Sequence, residues 1–378
     1  MPSSGPKLVV HAKPIFILGE AMGEAELRLD RGFVGASGIE LLRMLSDASV
    51  IEFSTEDEDF LRRYWREGKP ELIDAIWGLH PEVHRSNVFQ AHPPGNRLEY
   101  FCGPRETALP GYPPLLKGGQ GYVRAEFDHH LERLGDEILA IDPNVIVCLG
   151  NAALWALSGT TGVSKLRGTT RLSTHTVSEF KLLPTYHPAA ILRQWDNRPV
   201  AVLDLAKAGR ESAYPEVRRP IREIWIEPSL ADIERFFNDH VRGCKLLAVD
   251  IETAGNQITN IGFAPSTRLA LNVPFFDSRA KGRSYWPTTE DEAAAWELIR
   301  TVLSDATIPK LFHNGLYDVA FIWRSVGIAV LGCAEDSMLA HHALLPESLK
   351  GLGFLGSIYS EETSWKTNRK VTTIKRGE

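Results

Sequence analysis

The sequence is poor in cysteine and has no long apolar run. It contains four cysteines in 378 residues, and no two of them form a Cys-x-x-Cys pair. This spacing excludes a disulfide-rich scaffold and a compact four-cysteine zinc site. No apolar stretch reaches 18 residues, and the N-terminus lacks the apolar core of a signal peptide. We therefore expect no membrane span and a cytoplasmic protein of a bacterial or phage-infected host cell, with reduced thiols.

An excess of positive charge is also absent. The chain carries 42 Lys and Arg against 48 Asp and Glu, which gives a formal net charge of −6. If the protein binds nucleic acid, it must use a local basic groove rather than its overall field. Hydrophobic residues make up 43% and charged residues 24%, which is ordinary for a globular protein. The length favours two domains, each large enough to bury its own core.

The chain is expected to divide at residues 211–220, where two prolines lie among mixed charges. We predict one domain at 1–210, a linker at 211–220 and a second domain at 221–378. In the first domain, apolar strands are predicted at 15–18, 145–149 and 182–185, and helical patterns alternate with them. This alternation favours a parallel sheet between two layers of helices, with ligands bound at the carboxyl ends of the strands.

Three separated motifs of the first domain follow or flank these strands. They are Gly19-Glu20-Ala21-Met22-Gly23 with the Gly-rich segment 32–38, Ser86-Asn87-Val88, and the segment 183–193, which reads Leu-Pro-Thr-Tyr-His-Pro-Ala-Ala-Ile-Leu-Arg. The Gly-rich segment alone is a weak signal that fits neither the Walker nor the Rossmann spacing. In this order and spacing, the three motifs resemble the uracil-DNA glycosylase superfamily, most closely its family 4 type. The resemblance spans about residues 14–209 and implies a three-layer α/β/α glycosylase domain acting on uracil in DNA.

The resemblance implies a role for each matching residue. Glu20 would orient water and stabilise the sugar cation, and His187 would donate to the uracil anion; these two are the catalytic candidates. The base-binding and DNA-binding candidates are Phe33, which would stack on the flipped base, Asn87, which would read its edge, and Leu192 and Arg193, which lie where the family inserts a wedge into the duplex. Taken singly, each has an ordinary alternative, such as a core position for Phe33 or a turn for Asn87.

Two features depart from the family. Met22 stands where the family usually has proline. The four iron–sulfur cysteines of family 4 are missing: the N-terminal Cys-x-x-Cys is absent, Gln90-Ala91 replace the usual Lys-Cys, and Cys102 alone lies near an expected ligand. We therefore expect no iron–sulfur cluster.

The second domain opens with two acids on one strand. The apolar run 246–251 carries Asp250, and Glu252 follows two residues later on the same strand face. With Asn314 and Asp318, these acids resemble the first two motifs of the DnaQ-like 3′–5′ exonuclease domain of family A DNA polymerases. The resemblance implies an RNase H-like α/β fold with a mixed sheet. Asp250, Glu252 and Asp318 would hold two Mg²⁺ or Mn²⁺ ions ~3.5–4 Å apart.

The third exonuclease motif, with its last metal-binding carboxylate, does not follow in the sequence given. We therefore expect the exonuclease domain to be incomplete, and its activity is uncertain from sequence. The leading interpretation is a DNA repair or replication protein that acts on single- or double-stranded uracil-containing DNA. The alternatives are a non-catalytic DNA-binding or replisome scaffold with degenerate enzyme folds, or the front fragment of a split family A DNA polymerase whose partner is a polymerase polypeptide. A hydrolase of nucleotides or RNA is a weaker alternative.

Overall fold

The structure is a computed structural model that describes residues 13–360. The described chain forms two compact units: residues 13–218 with 353–360, and residues 219–352. Residues 366–378, which include five Lys and Arg residues, lie outside the described residues. Within residues 13–360, none of the helices combines the length and the apolar content needed to cross a bilayer.

A parallel sheet forms the centre of the first unit. The strands described for this unit are β1 (Ile15–Ala21), β2 (Val83–Phe89), β3 (Cys102–Gly103), β4 (Tyr122–Val123), β5 (Ile146–Leu149), β6 (Arg171–Leu172) and β7 (Lys181–Thr185). Their order in the main sheet is β2-β1-β5-β7-β6, and β2, β1, β5 and β7 run parallel. Short β6 is antiparallel to β7 at one edge, β2 forms the other edge, and β3 pairs with β4 apart from this sheet.

Helices cover both faces of this sheet. Those described before residue 218 are α1 (Glu24–Leu29), α2 (Ala36–Asp47), α3 (Thr55–Glu67), α4 (Pro70–Leu79), α5 (Asp128–Ile141), α6 (Gly150–Ser158), α7 (Val163–Leu166), α8 (Pro188–Arg193) and α9 (Arg198–Glu211). Because strand side chains alternate, Ile15 and Ile17 join the core under α2, α4 and α9, whereas Phe16 and Leu18 join the core under α5 and α6. This is the predicted three-layer α/β/α arrangement.

The segment after α9 is held against the first unit. Lys181 is fully buried at the start of β7, and its ammonium donates to the carbonyl oxygens of Glu211, Tyr214 and Glu216 at 2.6–3.1 Å. A buried ammonium needs such acceptors, since an unpaired charge away from water is costly. The first part of the predicted linker therefore belongs to the first unit, and the two units divide after Arg218.

The second unit is built on a mixed sheet. Its described strands are β8 (Glu223–Ile226), β9 (Leu247–Ala254), β10 (Gln257–Ser266), β11 (Leu269–Pro274), β12 (Lys310–Phe312) and β13 (Cys333–Asp336). Its described helices are α10 (Leu230–Phe236, continued by a π-helical turn to Val241), α11 (Thr289–Leu303), α12 (Gly315–Val326) and α13 (Ser337–Leu344).

The strand order of the second unit is β13-β12-β9-β10-β11-β8. β9, β10 and β11 form an antiparallel meander, and β12 and β13 add in parallel on the other side of β9. This is the order of the predicted RNase H-like fold, with β8 added in parallel beside β11.

The last described helix, α14 (Leu352–Tyr359), does not group with the unit to which the sequence prediction assigned it. From Gly353 onward it groups with the first unit, whereas the sequence placed it in the second domain. The physical reason is a pair of hydrogen bonds from two buried cationic side chains of the first unit. The Arg167 guanidinium donates to Ser357 Oγ at 2.9 Å, and the Lys207 ammonium donates to the Ser360 carbonyl at 2.9 Å.

Candidate active site at the carboxyl ends of the first sheet

Asn87 and Phe33 converge on Gly19 at the end of β1. Asn87 lies on β2 directly beside Gly19 in the parallel register. A Cβ atom on Gly19 would lie 2.2 Å from Asn87 Oδ1 and 2.5 Å from Phe33 Cζ, so only glycine fits here. The Asn87 side chain is buried, and its Nδ2 atom has no hydrogen-bond partner among the described residues. A buried amide donor left open is expected where a polar ligand binds.

The backbone of Phe33 is held in a rarely used conformation. Its φ is +59°, in the left-handed region that is uncommon for residues other than glycine. Glu26 Oε1 accepts from the Phe33 N–H at 2.5 Å, and the Trp77 indole N–H donates to the Phe33 carbonyl at 2.9 Å. These two contacts fix the ring of Phe33 beside Gly19, because surrounding structure must stabilise such a backbone geometry.

His187 follows β7 and precedes α8. Its ring centroid lies 6.1 Å from that of Phe33, with a tilt of 31°. Burial, assisted by the positive charge of Arg193, lowers the pKa of His187 to about 4, so the ring is neutral at physiological pH. Its Nδ1 atom accepts from the Ala189 N–H at 3.2 Å. A neutral imidazole has one donor and one acceptor nitrogen, so Nε2 carries the proton and can donate to a ligand.

Glu20 lies in β1 between Gly19 and the loop that leads to α1. Burial raises its pKa, the nearby Arg193 opposes that rise, and Glu99 adds to it. Arg193 therefore acts on both Glu20 and His187, which brings the two predicted catalytic residues into one electrostatic environment. Next to it, Leu192 is 47% exposed at the end of α8, although it is a large apolar side chain.

In the second unit, Asp250 and Asp318 are neighbours. Asp318 is 5% exposed and accepts from the Ile251 N–H at 3.2 Å. Burial raises the pKa of Asp318 to about 6, and repulsion from Asp250 and Asp336 adds to that rise. Within residues 13–360, however, no group of three or more His, Cys, Asp or Glu side chains is arranged to hold a metal ion. The structure thus does not assemble Asp250, Glu252 and Asp318 as a three-ligand group.

Asp336, at the end of β13, has a structural role. Its carboxylate accepts from the backbone N–H groups of Asn314, Gly315, Met338 and Leu339 at 2.8–3.2 Å. It therefore caps α13 and ties the β12–α12 turn to it.

The cysteines do not fit a four-thiolate iron–sulfur cluster. Burial raises the pKa of Cys102 to about 11 and that of Cys148 to about 12, and both favour the thiol over the thiolate that ligates iron. Cys148 lies inside β5 among core residues, and Cys244 and Cys333 belong to the second unit. One half-buried thiol cannot hold a cluster, and the expectation that the protein has none stays a prediction.

Sequence reasoning missed the residues that support the site. They are Glu26, Trp77, Arg85, which donates to the Gly32 carbonyl at 2.8 Å, and Arg133, which donates to the Asn87 carbonyl at 2.6 Å. Glu26 carried a usable signal, since it stands three residues after Gly23 at a helix start and accepts from the Gly23 N–H. The other three act across the fold and left no local pattern.

Solved exonuclease domains show weak similarity to part of the chain. An EXD2 exonuclease domain soaked in Mg matches 32% of this chain and 58% of its own length, with 18% identity and a TM-score of 0.24. Brucella melitensis NrnC matches 37% of this chain and 60% of its own length, with 19% identity and a TM-score of 0.25. The chain thus spans about three fifths of these structures, and the scores are too low to assign a function.

The similarity of the first unit is stronger. Type-4 uracil-DNA glycosylase of Sulfurisphaera tokodaii is 26% identical over 227 residues, which are 59% of this chain and 74% of the relative. The type-4 enzyme of Thermotoga maritima is 26% identical over 198 residues, which are 51% of this chain and 75% of the relative. The model of the Uracil DNA glycosylase superfamily matches residues 6–208, more than half of the chain. The protein therefore belongs to the uracil DNA glycosylase superfamily.

Proposed function

We propose that the first unit excises uracil from DNA by hydrolysing the N-glycosidic bond, as a DNA repair enzyme. The convergence of Asn87, Phe33 and Gly19, with the His187 ring 6.1 Å from that of Phe33, carries this proposal. The site combines the buried Phe33 ring, the open Asn87 amide donor and the neutral His187 ring. Uracil presents a flat ring, a donor and acceptor edge, and an oxygen that becomes negative when the base leaves.

Binding begins with the flipped base. Uracil stacks on Phe33, and the Asn87 amide accepts from its N3–H and donates to its O4. Gly19 lets Asn87 and Phe33 approach each other, because a Cβ atom there would clash with both side chains. Leu192, exposed at the end of α8, fills the gap left in the duplex, as apolar wedges do when they unstack base steps.

Bond cleavage then separates charge. The C1′–N1 bond breaks, its electron pair stays on uracil, and the sugar becomes cationic. The His187 Nε2–H donates to the developing negative charge on uracil O2, and its Nδ1 stays bonded to the Ala189 N–H. Glu20 in its carboxylate form stabilises the sugar cation and orients the water that adds to C1′. Burial raises the pKa of Glu20, and the positive charge of Arg193 opposes that rise. The proton lost by the added water neutralises the uracil anion, so the products are free uracil and an abasic site.

An abasic-site assay on a uracil oligonucleotide tests the proposal. The full chain is expected to release uracil from single-stranded and duplex DNA, and Glu20→Gln is expected to lose most of this activity. Glu24→Gln is the matched control, because Glu24 is exposed in the first turn of α1 only four residues away. An inert wild-type protein, or equal activity of wild type and Glu20→Gln, would reject the proposed chemistry.

A metal-dependent 3′–5′ exonuclease activity of the second unit is the second candidate. The closeness of Asp250 and the buried Asp318 favours it, since two adjacent carboxylates attract a divalent cation such as Mg²⁺ or Mn²⁺. Among the described residues, these two acids do not belong to a group of three or more potential metal ligands. We also propose that a separate polypeptide, such as a DNA polymerase, completes the site.

Trimming of 3′-labelled DNA in Mg²⁺ tests the second candidate. Activity lost in Asp250→Asn but kept in Glu290→Gln, which removes an exposed acid at the start of α11, would support a nuclease. If the wild-type chain binds DNA but does not trim it, the non-catalytic scaffold is favoured instead. Trimming that appears only after a polymerase polypeptide is added would favour the split enzyme.

A further inference from the structure

Within residues 13–360, Asn87 lies on the edge strand of its sheet: β2 pairs with β1 on one side, and no described strand pairs with its other side. An exposed strand edge leaves N–H and C=O groups that need other partners. The Arg133 guanidinium, which projects from α5, supplies such a partner to the backbone of Asn87. Its Nη2 atom donates to the Asn87 carbonyl at 2.6 Å and makes a longer contact of 3.4 Å with the Val88 carbonyl.

A second set of contacts fixes the Arg133 guanidinium in place. Its Nη1 atom donates to Ser86 Oγ at 3.1 Å and pairs with Glu137, one helical turn further along α5. Glu137 also accepts from Ser86 Oγ at 2.7 Å and bonds the His84 ring at 2.7 Å. His84 and Ser86 lie two residues apart, and therefore on one face of β2. Arg133 and Glu137 thus attach α5 to that face.

The Asn87 side chain points to the opposite face, toward Gly19 and Phe33. Within residues 13–360, no hydrogen bond orients the Asn87 amide: Nδ2 is buried without a partner, and Oδ1 lies against Gly19. The position of the amide therefore depends on the backbone of β2. A binding group must be held to within about 0.5 Å to act well, and supporting contacts usually provide this precision.

We propose that Arg133, oriented by Glu137 and Ser86, is a positioning residue that sets the uracil-reading geometry of Asn87. In this proposal Arg133 touches neither the base nor the sugar and acts through the backbone of β2, chiefly through the Asn87 carbonyl. This inference rests on the proposed glycosylase function of the first unit.

A double-mutant cycle in the full chain tests it. Arg133→Met keeps the stem but removes the guanidinium, and single-turnover uracil release is measured in the wild-type and Asn87→Ala backgrounds. We expect a loss of roughly tenfold in the wild-type background and less than twofold in Asn87→Ala, because contacting residues couple and independent ones add. Equal losses in both backgrounds would overturn the proposal. Arg133→Lys, which keeps one donor, is expected to restore part of the rate.

A purely structural role of Arg133 must be separated from positioning. Ile138→Val is the matched control: Ile138 is fully buried on α5, and the change loosens the helix without touching the polar contacts. At equal loss of thermal stability, Ile138→Val should release uracil at the wild-type rate. A rate loss in Ile138→Val as large as in Arg133→Met would overturn the proposal.

Further measurements cover the cases in which a variant or the activity fails. If Arg133→Met does not fold, Ser86→Ala and Glu137→Gln loosen the guanidinium while keeping it, and should slow uracil release by a smaller factor. Unchanged rates would overturn the inference.

Hydrogen exchange of the 83–89 peptide needs no activity and should be faster in Arg133→Met than in Ile138→Val. If the wild type releases no uracil but this difference in exchange is seen, the glycosylase proposal fails while the contact of Arg133 with β2 stands.

Discussion

The Nδ1 atom of His187 accepts a hydrogen bond from the N–H of Ala189 at 3.2 Å. This bond places the single proton of a neutral ring on Nε2, the nitrogen that can face a ligand. The arrangement comes from the local fold, because His187 is the residue that caps the start of α8. It makes the histidine a hydrogen-bond donor without a positive charge.

Removing this donor should slow the reaction strongly. We expect His187→Ala to lower the rate of uracil release by about 10²–10³, the usual effect of one donor to a developing anion. Single-turnover kinetics on a uracil oligonucleotide would measure it. His129→Ala is the control, since His129 is exposed on α5. A His187→Ala rate within twofold of wild type would show that the ring does not take part.

Stability should fall in acid because of the same histidine. Its pKa is lowered to about 4 by burial and by Arg193, whereas an unfolded histidine titrates near its ordinary value of about 6.5. The unfolded chain therefore binds more protons between these values, so the stabilising effect is complete above pH 6.5 and is lost as the pH falls toward 4. Denaturant unfolding at pH 7 and pH 5 should show a smaller acid-side loss in His187→Gln than in wild type.

A second histidine, His130, also contributes to the loss of stability in acid. Burial, with the charges of His129 and Arg133, also lowers the pKa of His130 to about 4. The wild-type loss between pH 7 and pH 5 is thus shared, and His187→Gln should remove only part of it. An identical pH dependence in both proteins would contradict the burial of His187.

Uracil recognition should require glycine at position 19, because a side chain there would clash with Asn87. Gly19→Ala would place a methyl group 2.2 Å from Asn87 Oδ1, so the amide or the strand must shift. We expect loss of most uracil-releasing activity and a decrease of about 1–3 kcal/mol in the free energy of unfolding, as for other overpacked sites. Gly35→Ala is the control, because a Cβ there meets no atom within 4 Å and its φ is negative. Wild-type activity in Gly19→Ala would show that the pocket lies elsewhere.

The exposed Leu192 should matter for duplex DNA and little for folding. Its side chain is 47% exposed, so Leu192→Ala should change the free energy of unfolding by no more than about 0.5 kcal/mol. Uracil release from duplex should fall several-fold more than release from single strands, because only the duplex needs a wedge. Leu172→Ala, at the same 47% exposure on β6, is the control. Equal effects on both substrates would argue against a wedge.

Local patterns in the sequence predicted much of the fold. The apolar segments predicted as strands at 15–18, 145–149 and 182–185 lie in β1, β5 and β7. The strand β2 received no prediction, since Val83–Phe89 reads His-Arg-Ser-Asn through its middle and shows no apolar run. It is a strand because β1 pairs along it and because α5 binds its polar face.

The sequence by itself determined the order of the motifs, the residues they contain and the shortage of cysteine. It could do so because these are properties of single positions and their spacing. Only the tertiary structure decided that Asn87 and Phe33 meet at Gly19, that Arg133 holds Asn87 from another helix, and that α14 packs with the first unit. Each of these joins residues 14 or more positions apart. Which distant side chains become neighbours depends on strand register and helix packing, and no local pattern records those.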